Sequence, residues 1–322
     1  MKVRELIGRK TIKLGNIIVN IIVQISIVLL TAYAGYALWD SKELHQAADK
    51  SQYAIYKPTA ENEGKSFEEL QALNPEVIAW LTVFNTNIDY PVTQGDSNMK
   101  YINTNAEGQY SLSGAIFLDY TNSKDFSDFN NILYGHHMAR NTMFGDLDTF
   151  ADKSKFDANR YGNLYFDRQD HEIEFFAFLR TDAYDSSIFK AGVEGEGRQG
   201  YLDVLSEKMI HTRDIGISVS DRIVLLSTCS DNSTNGRDIL VGRLNDKPHE
   251  ETAEDVEGVS DDREKDESCQ VSEISIWTLL ALIMLTVIIT IKSISICRKY
   301  RKTKNDRRRR GSKNEQSIED YE

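Results

Sequence analysis

The stretch Ile223-Val-Leu-Leu-Ser-Thr-Cys-Ser-Asp231 decides how the chain is read. A run of bulky aliphatics ends in a hydroxyl pair and a thiol, the pattern of a buried strand whose last residue emerges at a rim. Reactive groups are presented at such rims, but a lone small cysteine is also a common core residue. The rest of the chain has to separate the two readings.

A second stretch has the same design: Asn131-Ile-Leu-Tyr-Gly-His-His-Met138 runs from a short strand into a glycine turn and two histidines. A thiol with an ordinary pKa of about 8.5 needs a nearby base or cation to become a thiolate. Two strand ends at one rim would supply this by bringing His136 to Cys229. Adjacent residues at a strand end point apart, so His137 is expected to face the surface or a second layer. Neither histidine has a carboxylate or thiol at conventional metal-ligand spacing, and no metal or cofactor is expected. An oxyanion formed by thiolate attack on an amide needs a donor. Arg237 opens the next strand, eight residues after Cys229, and a hairpin would return its guanidinium beside the thiol. Arg243, deeper in that strand, is the competitor.

Short runs rich in Val, Ile, Tyr and Phe separated by turn clusters continue outward: 77–84, 115–118, 131–134, 173–179, 222–227 and 238–241. Their spacing predicts an all-β barrel or sandwich. Residues 200–210 carry apolar residues at helical intervals, an inserted helix before the cysteine strand. Residues 40–75 read as a helical extension in which Ser66-Phe-Glu-Glu69 forms a capping box.

The chain has 322 residues and a net charge of −12, with 40% apolar and 27% charged residues. These averages hide a partition. Residues 14–39 and 274–291 carry no charge, and each is about long enough to cross the ~30 Å hydrocarbon core of a bilayer as a helix. The flanks 1–39 and 292–322 sum to +4 and +6, leaving the stretch between them at −22. Basic flanks on both sides predict cytoplasmic termini and an external middle. The expected order is a basic tail (1–13), a membrane helix (14–39), the extension (40–75), a β-domain (76–247), an acidic tether (248–272), a second membrane helix (273–291) and a basic tail (292–322). Ala32-Tyr33-Ala34 fits a signal cleavage site, yet the apolar run exceeds the usual 7–15 residue signal core, so a retained anchor is expected. Within the tether, residues 250–267 hold ten acids against two bases and no aromatics, too little apolar surface to fold. Cys269 therefore reads as a free thiol and not a disulfide partner of Cys229. The acidic middle excludes a nucleic-acid partner, because phosphate backbones require a basic surface.

The set Leu226-Ser-Thr-Cys229, Arg237 and Tyr134-Gly-His136 resembles the sortases, membrane-anchored cysteine transpeptidases of Gram-positive bacteria. Asn87-Ile-Asp-Tyr-Pro-Val-Thr-Gln94, Ser113-Gly-Ala-Ile-Phe-Leu-Asp-Tyr120, Tyr134-Gly-His-His-Met138 and Thr142-Met-Phe144 follow the order seen in class B. The resemblance covers roughly residues 40–247. It implies a closed eight-stranded β-barrel with N-terminal helices and a helix before the cysteine strand. It also implies Cys229 as nucleophile, His136 as general acid and base, and Arg237 as oxyanion donor, helped by backbone N–H groups near Cys229. Ser227, Thr228, Ser230 and Asp231 would line the substrate groove. The partners implied are surface proteins bearing a C-terminal LPxTG-like or NPxTN-like sorting signal. The amine acceptor would be a cell-wall peptide or a pilin lysine. One departure stands out: a C-terminal span is more typical of pilus-polymerising class C, whose Asp-Pro-aromatic lid motif this chain lacks. An inactive scaffold and a plain cysteine protease are the competing readings.

Overall fold

The computed structural model describes residues 2–59, 65–230 and 234–248. The second apolar run, the basic C-terminal tail and the acidic stretch beyond Pro248 lie outside the described residues, as do Cys269, Cys297 and Asp231. Helix α1 (Lys2–Ala48) contains Ile17–Lys42, long and apolar enough by length and composition to cross a membrane. Its part up to Ala34 belongs to one unit of the chain, and Gly35–Ser260 forms another.

Within the second unit, α1 ends at Ala48, where the Asp49 carboxylate accepts the Ser51 N–H at 2.8 Å and starts a 3-10 turn, Lys50–Tyr56. Helix α2 (Lys65–Leu73) begins one residue before the expected cap, and the Ser66 hydroxyl donates to the Lys57 carbonyl at 3.1 Å, tying α2 to that turn.

The sheet comprises β1 (Val77–Val83), β2 (Asp89–Thr93), β3 (Ile116–Leu118), β4 (Asn130–Tyr134), β7 (Tyr161–Phe166), β8 (Gln169–Asp182), β9 (Met209–Thr212), β10 (Arg222–Cys229) and β11 (Gly236–Leu244); β5 (His137–Met138) and β6 (Thr142–Met143) form a separate hairpin. Strand order is β11-β10-β4-β3-β2-β1-β7-β8, and pairing of β8 with β11 closes eight strands into the expected barrel, with β9 added beside β8. The sheet is mixed, since β2–β3 and β4–β10 run parallel. Closure removes the edges that would otherwise expose unpaired backbone groups. A short helix, α3 (Lys153–Ala158), precedes β7, and α4 (Gly197–Lys208) is the inserted helix.

Both faces of β10 are buried, which explains why its sequence is an unbroken apolar run. Val224 and Leu226 point into the barrel with Leu240 and Phe178. Ile223 and Leu225 point outward with Ile132, Ile239, Val241 and Leu179, where Ile188, Val193 and the α4 residues Tyr201 and Leu205 cover them. Ser227 and Cys229 continue this outward series to the rim, so the site opens on the outer face and not into the barrel.

Candidate active site

Cys229 is the last residue of β10, exposed and free of any disulfide. The parallel pairing of β10 with β4 sets Ser227 opposite Tyr134. Two further bonds extend that pairing past the strand end: the Gly135 N–H donates to the Ser227 carbonyl at 3.2 Å, and the Thr228 hydroxyl donates to the Gly135 carbonyl at 2.8 Å. The turn carrying His136 is thereby held against the strand carrying Cys229. Gly135 is required by close approach, because a Cβ there would lie 2.7 Å from the Phe144 ring. Phe144 in turn donates its N–H to the His136 carbonyl at 3.0 Å.

The His136 ring places Nε2 2.9 Å from the Ile102 carbonyl oxygen. A carbonyl only accepts, so Nε2 carries the proton and the neutral ring keeps Nδ1 as its basic atom. A Cβ on Gly114, whose φ is +60°, would lie 2.6 Å from the Ile102 carbonyl oxygen, so only glycine fits beside it. His137 turns the other way, with Nε2 3.1 Å from Asp148 Oδ2. The two adjacent histidines thus serve different surroundings.

Antiparallel pairing of β10 with β11 sets Arg237 directly opposite Cys229. One guanidinium nitrogen, Nη1, donates to the Gly236 carbonyl at 2.9 Å, leaving most of the fork for another acceptor. The N–H of Ser230, next to Cys229, donates to the same carbonyl at 2.9 Å, so this backbone group is already engaged. Arg243, the competitor, is committed elsewhere: it reaches Glu174 at 2.5 Å and the Ile215 carbonyl at 3.1 Å. Glu174, almost fully buried, is held from its other side by Arg160 at 2.6 Å.

The remaining expected groove residues separate by parity. Ser227 lies on the outer face with its Oγ buried and without a hydrogen-bond partner among the described residues. Thr228 faces inward, 2% exposed, and joins the cysteine strand to the histidine turn instead of lining an open groove. Ser230 is largely buried, and Asp231 lies outside the described residues.

Tyr134 was quoted in the histidine motif without a role. Its hydroxyl donates to Asp119 Oδ2 at 3.0 Å, and Asp119 also accepts from Asn98 at 2.8 Å and Thr121 at 2.6 Å. Burial, then the Asp119 charge, pushes the Tyr134 phenol well above its ordinary value, while the positive charge of Arg237 opposes this. Ile102 escaped sequence reasoning, since a backbone carbonyl leaves no side-chain signal, and Gly114 and Asp119 stood in the quoted 113–120 stretch without a role. Among the described residues, no group of three His, Cys, Asp or Glu side chains could hold a metal ion.

No protein-family model matches the chain. A sortase B of Listeria monocytogenes serovar 1/2a is 31% identical over 218 residues, covering 65% of this chain and 88% of the relative. The crystal structure of sortase B from the type II pilus of Streptococcus pneumoniae is 47% identical with a TM-score of 0.50, covering 56% of this chain and 99% of that structure. Spy0129, a Streptococcus pyogenes class B sortase involved in pilus biogenesis, is 41% identical with a TM-score of 0.52, covering 57% of this chain and all of that one. These relatives are matched over 88% to all of their own length and share the barrel fold, and the chain belongs to the class B sortases.

Proposed function

We propose that this sortase cleaves a C-terminal sorting signal through a thioacyl intermediate on Cys229 and transfers the acyl group to an amine. The observation that carries the reading is the rim itself, where Cys229 and Arg237 are opposed in register and the turn bearing His136 is bonded to the strand bearing Cys229. The Cys229 thiol gives its proton to His136 Nδ1, the resulting thiolate attacks the threonine carbonyl carbon of an LPxTG-like or NPxTN-like signal, and the developing oxyanion accepts hydrogen bonds from Arg237. The carbon–nitrogen bond breaks as His136 delivers a proton to the departing amine, leaving a thioester. An incoming amine then attacks the thioester, gives up a proton to His136 and releases Cys229. Because Ser230 N–H is already bound to Gly236, the guanidinium carries the oxyanion contact in this reading. Ser227, Ser230 and Asp231 line the approach, with Thr228 beneath them.

The first acceptor to consider is a cell-wall cross-bridge amine. A pilin lysine is the second, and the pilus association of the two streptococcal relatives favours it. In either case α1 anchors the enzyme, with the catalytic domain outside and both termini cytoplasmic, the latter requiring the span at 273–291.

The test is mass spectrometry of the protein with both signal peptides and two amines, a cross-bridge peptide and a lysine-bearing pilin segment. A Cys229 acyl adduct and an amine-ligated product, both lost in Cys229→Ala, are expected. Hydrolysis alone with either amine present would instead identify a protease, and a folded protein that acylates with no peptide would favour a scaffold.

A further inference from the structure

Register across three strands sets Cys229 opposite Arg237 and Arg237 opposite Thr181. Directly opposed residues share one face of a sheet, here the outer one to which Ile239 and Leu179 belong. Strand β8 ends at Asp182, and Asp185 is the node of the turn that follows. Its Oδ2 accepts from the Thr181 hydroxyl at 2.5 Å and from Lys208 Nζ, at the last residue of α4, at 2.8 Å. Its Oδ1 accepts from the Ser187 N–H at 3.1 Å and the Ser187 hydroxyl at 2.5 Å. Its backbone carbonyl accepts the N–H groups of Ile188 at 3.1 Å and Phe189 at 3.0 Å.

The far end of this turn reaches the site. The Phe189 ring stacks on Tyr134, with centroids 6.2 Å apart and planes at 30°, and Tyr134 is in register with Ser227, two residues before Cys229. The Ile188 carbonyl is held by the Tyr201 hydroxyl at 2.8 Å. One carboxylate therefore ties together the strand of Thr181, the turn of Phe189 and the end of α4. Burial would raise this carboxyl, but the bonds from Lys208, Ser187 and Thr181 outweigh it and keep Asp185 charged well below the usual carboxylate range. Charge-assisted bonds of this kind are about twice as strong as neutral ones.

We propose that Asp185 is a positioning residue for the substrate groove: it latches residues 183–189 over the outer face, so that Phe189 against Tyr134 forms a wall beside the Thr181, Arg237 and Cys229 row, shaped for an extended peptide. This rests on the transpeptidase reading above. Asp185 touches no reacting atom and acts through Phe189 and Thr181. Its loss therefore weakens peptide binding while leaving the chemistry of bound peptide in place.

The experiment compares full-length wild type, Asp185→Ala, Lys208→Met and Lys208→Arg by steady-state kinetics with a cleaved signal peptide and by hydrogen exchange of residues 183–189. Asp185→Ala is expected to raise KM about tenfold with kcat within about twofold. Lys208→Met should follow the same direction, and Lys208→Arg should restore wild-type KM. Faster exchange of the Ile188 and Phe189 amides should accompany the KM change. An unchanged KM, or a fall confined to kcat, overturns the proposal. If Asp185→Ala does not fold, Lys208→Met carries the test, because it leaves the carboxylate its other donors. If wild type acylates with no peptide, the transpeptidase reading fails; exchange then decides, and unaltered protection of Ile188 and Phe189 in the variant overturns the latch.

Discussion

Replacing Gly114 by alanine perturbs the catalytic histidine of the proposed mechanism without touching it. Gly114 sits at φ +60°, and a Cβ there would lie 2.5 Å from the Tyr101 carbonyl oxygen and 2.6 Å from that of Ile102, the acceptor of His136 Nε2. The left-handed conformation alone costs a non-glycine residue about 1–2 kcal/mol. The carbonyls must also retreat by roughly half an ångström to restore van der Waals contact, which puts a hydrogen bond worth about 1 kcal/mol at risk. A total of about 2–3 kcal/mol lowers Tm by roughly 5–10 °C at 2–4 °C per kcal/mol for a domain of this size. Since a 1 Å displacement of a reacting group costs on the order of a hundredfold, half of that costs kcat/KM about tenfold.

Gly216→Ala is the control. Its φ of +69° carries the same conformational cost, but a Cβ there meets nothing within 4 Å. Differential scanning calorimetry with steady-state transfer kinetics separates the two: Gly216→Ala should lose about 1–2 kcal/mol with kcat/KM intact, and Gly114→Ala should lose more of both. If the two variants match in Tm and in rate, the Ile102 carbonyl does not hold His136 in a way that matters, and the reasoning is refuted.

Three further outcomes are expected. Arg237→Ala should reduce kcat by roughly 10²–10³ with Tm nearly unchanged, as for removal of an oxyanion donor, whereas Arg243→Ala should cost about 1.5–3 kcal/mol of stability through Glu174 and leave kcat per folded molecule alone; an exchange of these phenotypes would reverse the assignment of the two arginines. His171 lies flat on Phe166, with centroids 3.8 Å apart and neither ring nitrogen hydrogen-bonded among the described residues, and burial, followed by the Arg222 charge, lowers its pKa. The unfolded chain then takes up the proton first, so this contribution is complete above about pH 6.5 and is lost as pH falls below it; His171→Leu should flatten that acid limb in denaturant titrations, and an unaltered limb would show that His171 does not cause it. Thr228→Val removes the hydroxyl that joins the cysteine strand to the Gly135 carbonyl and should cost about 1 kcal/mol together with a measurable loss of kcat; full activity would mean that the strand pairing alone positions His136.

The strand with an unbroken apolar run was legible because a strand buried on both faces cannot hide its composition, as β10 illustrates. Strand β7 was not: Tyr161-Gly-Asn-Leu-Tyr-Phe166 mixes a turn-like Gly-Asn pair into a strand whose register is imposed by β1 and β8. Strand β8 runs 14 residues where the apolar run covers seven, because its polar ends pair with β7 and β11. The capping box was half legible, since Ser66 contacts the preceding turn through space.

The site divides along the same line. From the sequence alone came the class of chemistry, the three residues that would carry it, and a charge-free run at 14–39, because thiol, imidazole, guanidinium and hydropathy are properties of side chains. Only the tertiary structure decided that the site opens on the outer face, that the Ile102 carbonyl sets the His136 tautomer, that Ser230 N–H is already engaged and that Arg243 belongs to Glu174. These depend on strand parity and on backbone groups, which are the same in every residue and acquire a partner only when distant segments meet.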